Sequence, residues 1–358
     1  MKRFVDCYIP ITSCNFKCHY CYIAQLNKFE NKPPEFRYSN EYIARALSKE
    51  RLGGACILNL CAGGETLLVP RIVDLIRLFL EDGHYVNVVT NGSLSTRFDE
   101  IIKFPSELLK NLFFKFSFHY LELKRLNKME EYFNNIDKIK KAGCSFTVEL
   151  TPSDEEIPYI DDIMRITKEK VGAYCHITIA RKDFDPTISI LSNYTLKEYK
   201  DFWEKFKSEF FDFKMQMYQQ KRNEFCYAGE WSFWVNIGTG EMKQCYANHT
   251  LGNIYKNIEE PLKFLPVGHN CKLPYCYNAH AYLTLGDIPE LDTPTYEVLR
   301  NRICEDGTEW LTPTYKEIFS QKLVDSNRVY TVKEQKKIDR KNKYLAIKNK
   351  IEKIKKKL

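Results

Sequence analysis

The sequence predicts an α/β chain: parallel βα units wound into an open or closed barrel, followed by a smaller cysteine-rich α+β module and a basic C-terminal helix. Three observations predict it. Up to about residue 182, short apolar β-rich runs alternate with helical stretches, the pattern of parallel strands joined by helices. Beyond a link at Asp183–Tyr194 and a helix near Thr195–Phe210, the alternation gives way to a hairpin and then to cysteines and Pro/Gly. The last stretch is dominated by lysine.

Six strands are expected at Val5–Ile11, Ala55–Leu60, Tyr85–Thr90, Phe113–Phe118, Ser145–Leu150 and Tyr174–Ala180. Helices are expected near Asn40–Glu50, Arg71–Glu81, Leu94–Lys110, Lys128–Lys141 and Glu156–Lys170. In a barrel of this kind, chemistry belongs on the loops that leave the C-terminal ends of the strands. On strand four, Phe114, Phe116 and Phe118 share one face, so Ser117 and His119 point inward. The same alternation turns Asn59 and Cys61 inward from strand two, and Thr147 and Glu149 from strand five. Trp231–Ile237 and Glu241–Cys245 flank Gly238-Thr239-Gly240 and read as a β-hairpin.

The formal charge of +7 is concentrated in the tail. Residues 333–358 hold 12 Lys/Arg against 3 Asp/Glu, leaving 42 against 44 in the rest of the chain, so the body has no nucleic-acid charge signature. Tyr344, Ile347, Ile351, Ile354 and Leu358 form an apolar stripe on a lysine-rich helix, a face for an acidic partner or a membrane surface, or for packing on the body. No apolar run reaches the roughly 18–20 residues that span a bilayer, and the start is not a signal peptide, so a cytoplasmic protein is expected.

Thirteen cysteines in such a chain read as metal ligands or catalytic groups rather than disulfides. Directly after strand one stand Cys14, Cys18 and Cys21, a C-x3-C-x2-C triplet. Three thiolates wrap three corners of an iron–sulfur cube and leave the fourth iron open to a ligand. A zinc site or redox thiols are the alternatives, although zinc motifs usually pair two C-x2-C-like units and only one occurs here.

The triplet on the first βα loop resembles the signature of the radical S-adenosylmethionine (SAM) superfamily. The resemblance implies a partial (β/α)6 TIM-like barrel whose open iron chelates SAM and cleaves it to a 5′-deoxyadenosyl radical. It implies a low-potential electron donor such as flavodoxin or ferredoxin. Tyr20 matches the aromatic residue near the adenine. Gly63-Gly64-Glu65 after strand two is similar to the family's GGE motif, which holds the methionine amino group, with Thr66 where Pro is common. Thr90-Asn91-Gly92 is similar to its TNG turn, and Ser117 to the serine that contacts the methionine carboxylate, with His119 where Asp is frequent. Arg181, just past strand six, joins the cofactor-binding set.

Cys226, Cys245, Cys271 and Cys276, with Leu251-Gly252-Asn253-Ile254 between them, resemble the auxiliary-cluster modules called SPASM or twitch, and the single-cluster twitch fits better. Four thiolates saturate one auxiliary [4Fe–4S] cluster; a structural zinc is the alternative. The implied domains are a radical SAM barrel at 1–182, a helical linker at 183–222, an iron–sulfur module at 223–290 and an extension at 291–358.

The expected reaction is hydrogen abstraction followed by two-electron oxidation, with Glu149 or His119 as base and the auxiliary cluster as electron acceptor. Epimerisation, with Cys61 or Cys304 returning a hydrogen atom, and peptide maturation are alternatives. Only thirteen residues precede Cys14, so no leader-recognition domain is expected there, which favours a small polar, carbohydrate- or cyclitol-like substrate over a peptide. A non-enzymatic, zinc-stabilised binding module is the reading from a different class.

Overall fold

The computed structural model describes residues 1–30, 32–246 and 249–355. Its centre is a nine-stranded sheet in the order β6-β5-β4-β3-β2-β1-β7-β8-β9. Strands β1 (Phe4–Ile9), β2 (Ile57–Ala62), β3 (Tyr85–Thr90), β4 (Leu112–Ser117), β5 (Ser145–Leu150) and β6 (His176–Ile177) run parallel. They form an open partial barrel, because β1 pairs with β7 (Ser232–Asn236) and not with β6.

The six expected strands all form, and Tyr85–Thr90 and Ser145–Leu150 match to the residue. The sixth is far shorter than Tyr174–Ala180: two residues pair with Glu149 and Leu150 before the chain turns away. Helices α1 (Asn40–Ala46), α2 (Arg71–Glu81), α3 (Ser95–Ile101), α4 (Met129–Lys141) and α5 (Ile160–Val171) cover the outer face. Two expected helices are broken. Ser48 caps a new turn at Arg51 and ends the first, and Pro105 interrupts Leu94–Lys110. Past the barrel, α6 (Leu196–Trp203) and α7 (Glu209–Met217) are separated by Lys207 at φ 47°, so Thr195–Phe210 is not one helix.

The larger correction concerns the expected second module. Its hairpin, β7 with β8 (Glu241–Lys243), continues the barrel sheet instead of standing apart, with Asp6 opposite Trp234 and Trp234 opposite Lys243. Strand β9 (Thr250–Asn253) completes the edge.

Residues 291–330 are also more than an extension. Helices α8 (Tyr296–Arg300) and α9 (Pro313–Ser320) close the base of the barrel with Leu299, Trp310, Leu311, Tyr315 and Phe319, all buried. Tyr315 Oη donates into the sheet at the Val86 and Asn111 carbonyls, and Phe146 N donates to Trp310 O. Their apolar content is ordinary core content and carries no periodic signal, so the lysine-rich tail behind them set the character of the sequence reading.

That tail is α10 (Val332–Lys355). The apolar stripe is not its docking face: Tyr344, Ile347 and Ile351 are exposed. Leu358 and the side chain of Ile354 lie outside the described residues. The helix is held instead by polar anchors, Asp339 and Asn342. Asp339 accepts from His269 N and Asn270 Nδ2, and Asn342 donates to the carbonyls of Pro266 and Val267. No described helix is long and apolar enough to cross a membrane.

Candidate active site

The C-terminal ends of the parallel strands open into a cavity of about 570 Å³. Its rim is the loop after β1, where Cys14, Cys18 and Cys21 all face the cavity. The loop is fixed from two sides. Gly64 N donates to Ile11 O (2.8 Å) and Glu65 N to Ser13 O (3.1 Å). A Cβ on Gly64 would stand 1.8 Å from Ser13 O, so only glycine lets these two segments touch. On the other side Asn91 Nδ2 donates to Asn15 Oδ1 (2.7 Å) and approaches Cys14 Sγ at 3.9 Å.

Gly63, Gly64 and Glu65 all line the cavity, but the Glu65 carboxylate is committed within the protein. It accepts from Thr90 Oγ1, Asn91 N and Leu67 N, tying the GGE turn to the TNG turn, so any ligand contact at Glu65 falls to its main chain. Tyr20 and His119 are expected separately and stand together, with Tyr20 Oη 2.7 Å from His119 Nδ1. The Tyr20 hydroxyl also lies near the Cys18 thiol. Ser117 lines the wall between Lys115 and His119. Arg181 lies over the Tyr277 ring, 4.8 Å from its centroid, with Asp183 at 3.6 Å.

Burial raises the thiols of all three loop cysteines, Cys14 to about 11. Such groups become thiolates when a metal supplies the compensating charge. Three converging thiols on a rigid loop, beside a cavity with room for a ligand, fit a cube held at three corners. Among the described residues no three His, Cys, Asp or Glu side chains close on a single ion. A cube with one thiolate per iron spaces its ligands more widely than a tetrahedral zinc does.

The opposite wall lies beside the second cysteine group. Cys226, Cys245 and Cys271 pack about Ala228 and Val267, and the electrostatic influence of Cys245 and Cys271 on Cys276 places it with them. Cys226 is fixed by a two-way backbone bridge to Gly268. Tyr246 and Tyr277, each next to one of these cysteines, stack at 5.9 Å and both line the cavity. Tyr246 Oη donates to the Asp6 carboxylate and receives from Asn278 Nδ2 (3.0 Å).

Two of the candidate catalytic residues, Cys304 and Glu149, are held by protein partners. Cys304 does not line the cavity; it is buried outside the barrel, its thiol donating to Val171 O at 3.4 Å beside Gly172. Glu149 does line the cavity, but not as a free base. Burial alone would raise its carboxyl, yet Lys115 and Arg300 overcome that and bring it down to about 2. Both of its oxygens are engaged, Oε1 by Lys115 and Oε2 by Arg300, and neither is offered to a substrate proton. Cys61 faces the cavity, its thiol raised to about 12, chiefly by burial. Burial, with Lys115 nearby, lowers His119 to about 4, so its imidazole is neutral near pH 7.

The sequence reading missed Asp6, Lys115, Lys214, Tyr246, His280 and Arg300, all of which line the cavity. Strand alternation contains Lys115 and Asp6: the first precedes Ser117 and His119 by steps of two, and the second faces inward on β1. Lys214, His280 and Arg300 arrive from segments folded over the barrel and have no local signal.

The radical SAM superfamily model matches residues 8–165. No curated protein matches the chain. Among solved structures, that of Streptococcus suis SuiB is similar at 12% identity and TM-score 0.51, covering 74% of this chain and 66% of that one. The chain thus spans slightly under two thirds of that relative. Native anSMEcpe with bound AdoMet gives 17% identity, 71% and 78% coverage and TM-score 0.47. BtrN in complex with AdoMet and 2-DOIA gives 12%, 72%, 80% and 0.34. With their cysteine triplet on the first βα loop of an open parallel barrel, residues 8–165 thus match the radical SAM superfamily, whose members bind SAM and a [4Fe–4S] cluster.

Proposed function

We propose that this radical SAM protein catalyses a two-electron oxidation of a small polar substrate and that Cys226, Cys245, Cys271 and Cys276 hold an auxiliary [4Fe–4S] cluster as electron acceptor. The observation that carries the reading is the position of the cavity. One wall bears Cys14, Cys18 and Cys21, and the other bears Tyr246 and Tyr277, the immediate neighbours of Cys245 and Cys276. A substrate between them lies within reach of both cysteine groups. Its volume, about 570 Å³, suits a small molecule.

When bound, SAM and its cluster supply hydrogen-atom abstraction. The chain's own residues hold the substrate and take its proton. His119 is the base this reading favours. In the tautomer whose Nδ1–H is donated to Tyr20 Oη, Nε2 is the acceptor. Asn59 and Tyr246, both held on the Asp6 carboxylate, offer hydrogen-bonding groups to a hydroxylated substrate.

Iron content and product isotope analysis test the proposal. Anaerobically reconstituted protein should carry about eight irons per chain, and Cys245→Ala about four with SAM cleavage retained. Turnover of a polyol panel in deuterated water should give an oxidised product without solvent deuterium on carbon. Deuterium at an inverted carbon, without oxidation, makes the enzyme an epimerase. A wild-type protein with about four irons removes the acceptor.

A further inference from the structure

The wall built by β4, β5, α7 and α8 carries more positive than negative charge. Lys115, Lys214 and Arg300 line it, and Glu149 is the carboxylate they surround. Lys115 Nζ lies 3.2 Å from Glu149 Oε1, and Arg300 Nη1 donates to Oε2. Lys214 is buried and its ammonium donates to a neutral group, the Tyr277 carbonyl, at 3.1 Å.

Arg300 is 1% exposed, clasped between the rings of Phe210 and Tyr296, and among the described residues its Nε has no partner. His280 Nδ1, edge-on to Phe210, is buried and likewise without one. Arg181, paired with Asp183, donates to the same Tyr277 carbonyl as Lys214 and adds to the positive charge beside it. Lys115 and Arg300 outnumber the one carboxylate, and burial with the neighbouring cations lowers Lys214 to about 7, so its full charge is held only when a ligand brings the counter-charge.

We propose that this wall is an oxyanion subsite for the substrate, in which Lys115 and Lys214 meet a carboxylate or phosphate group while the Arg300–Glu149 pair fixes their positions. The proposal rests on the cavity being the substrate site. It gives Glu149 a positioning role in place of proton abstraction, and it narrows the substrate to small polar molecules that carry an acid group. Charge-assisted hydrogen bonds from lysine ammonium groups, one of them without a carboxylate partner, supply the affinity.

Anion titration of reconstituted, SAM-saturated protein tests it by calorimetry, with inorganic phosphate, acetate and neutral glycerol as probes. Phosphate or acetate should saturate and glycerol should not. Lys115→Met and Lys214→Met should each weaken that binding by at least about tenfold, while Lys214→Arg retains it. SAM affinity should stay within about twofold in every variant. Tighter binding of phosphate assigns a phosphate ester, and tighter binding of acetate a carboxylic acid.

No saturation by either anion, equal binding of glycerol, or unchanged binding in the Met variants overturns the proposal. Loss of SAM affinity in the Met variants also overturns it, by giving these charges to the cofactor. If Lys214→Met fails to fold, Lys115→Met carries the same test, because Arg300 still neutralises Glu149. Anion binding is read without turnover, so its failure is distinct from failure of the oxidation reading, which is judged by iron content and product.

Discussion

The two cysteine groups on either side of the cavity are built in opposite ways. Cys14, Cys18 and Cys21 sit on one loop, and the segments that brace it are the turns at the ends of the next two strands in the chain, Gly63–Glu65 after β2 and Thr90–Gly92 after β3. Cys226, Cys245, Cys271 and Cys276 are spread over three segments, and the loop carrying Cys271 is pinned by Asp339 and Asn342, about seventy residues further on. The first group forms with the barrel. The second joins segments far apart in the chain and is braced by α10, so bringing its cysteines together closes long loops.

The largest expected difference follows from removing one ligand on each side. Cys18→Ala should abolish SAM cleavage, a loss of at least about a thousandfold, and remove about four irons. Cys245→Ala should remove as many irons and leave SAM cleavage in place. Equal loss of SAM cleavage in both variants would show that the two groups are one functional unit.

Gly64→Ala probes the same contrast without touching a ligand. Its Cβ would lie 1.8 Å from Ser13 O, so the cysteine loop must move, at a cost of about 1–3 kcal/mol. SAM affinity should fall by at least about tenfold while the second group keeps its iron. Asn342→Ala should do the reverse. It removes the hydrogen bonds that tie α10 to Gln244 Nε2 and to the carbonyls of Pro266 and Val267, costing about 1–3 kcal/mol. Iron bound by the second group should become labile to chelator, with SAM affinity unchanged.

This contrast also explains what was legible in the sequence. Cys14, Cys18 and Cys21, with Gly63–Glu65 and Asn91, follow successive strands, so local order puts them at one barrel end. Ser117, His119 and Glu149 could be aimed inward by strand alternation, and all three line the cavity. Alternation says which face a side chain takes and not what else reaches it. Glu149 was therefore read as a base, because Arg300, 151 residues away, was invisible. Residues 291–330 were passed over for the same reason. The anchors of α10 are two polar residues, where an amphipathic reading looks for apolar ones.

The smallest effect separates the two groups by pH. Glu156, in the turn after β5, is buried, and burial raises its carboxyl to about 8. It shares a capping box with Ser153, and neighbouring Glu155 reaches His19 on the cysteine loop at 2.8 Å. Because the folded state raises this pKa above its ordinary value, the neutral form is the one the fold accommodates. The contribution to stability is intact at acid pH, falls as pH rises from the ordinary carboxylate range, and is fully lost above the raised value.

Glu156→Gln keeps the capping geometry and removes the titration. The variant should match wild type below about pH 4, exceed it by on the order of 1 kcal/mol near about pH 5, and by more near about pH 9, in urea unfolding. Iron retention by the first group should follow the same curve, since the turn leans on its loop, and retention by the second should not. A stability gain equal at every pH would mean that ionisation of Glu156 is not its source. A parallel response in the two groups would mean that the barrel and the tail-pinned module unfold as one body.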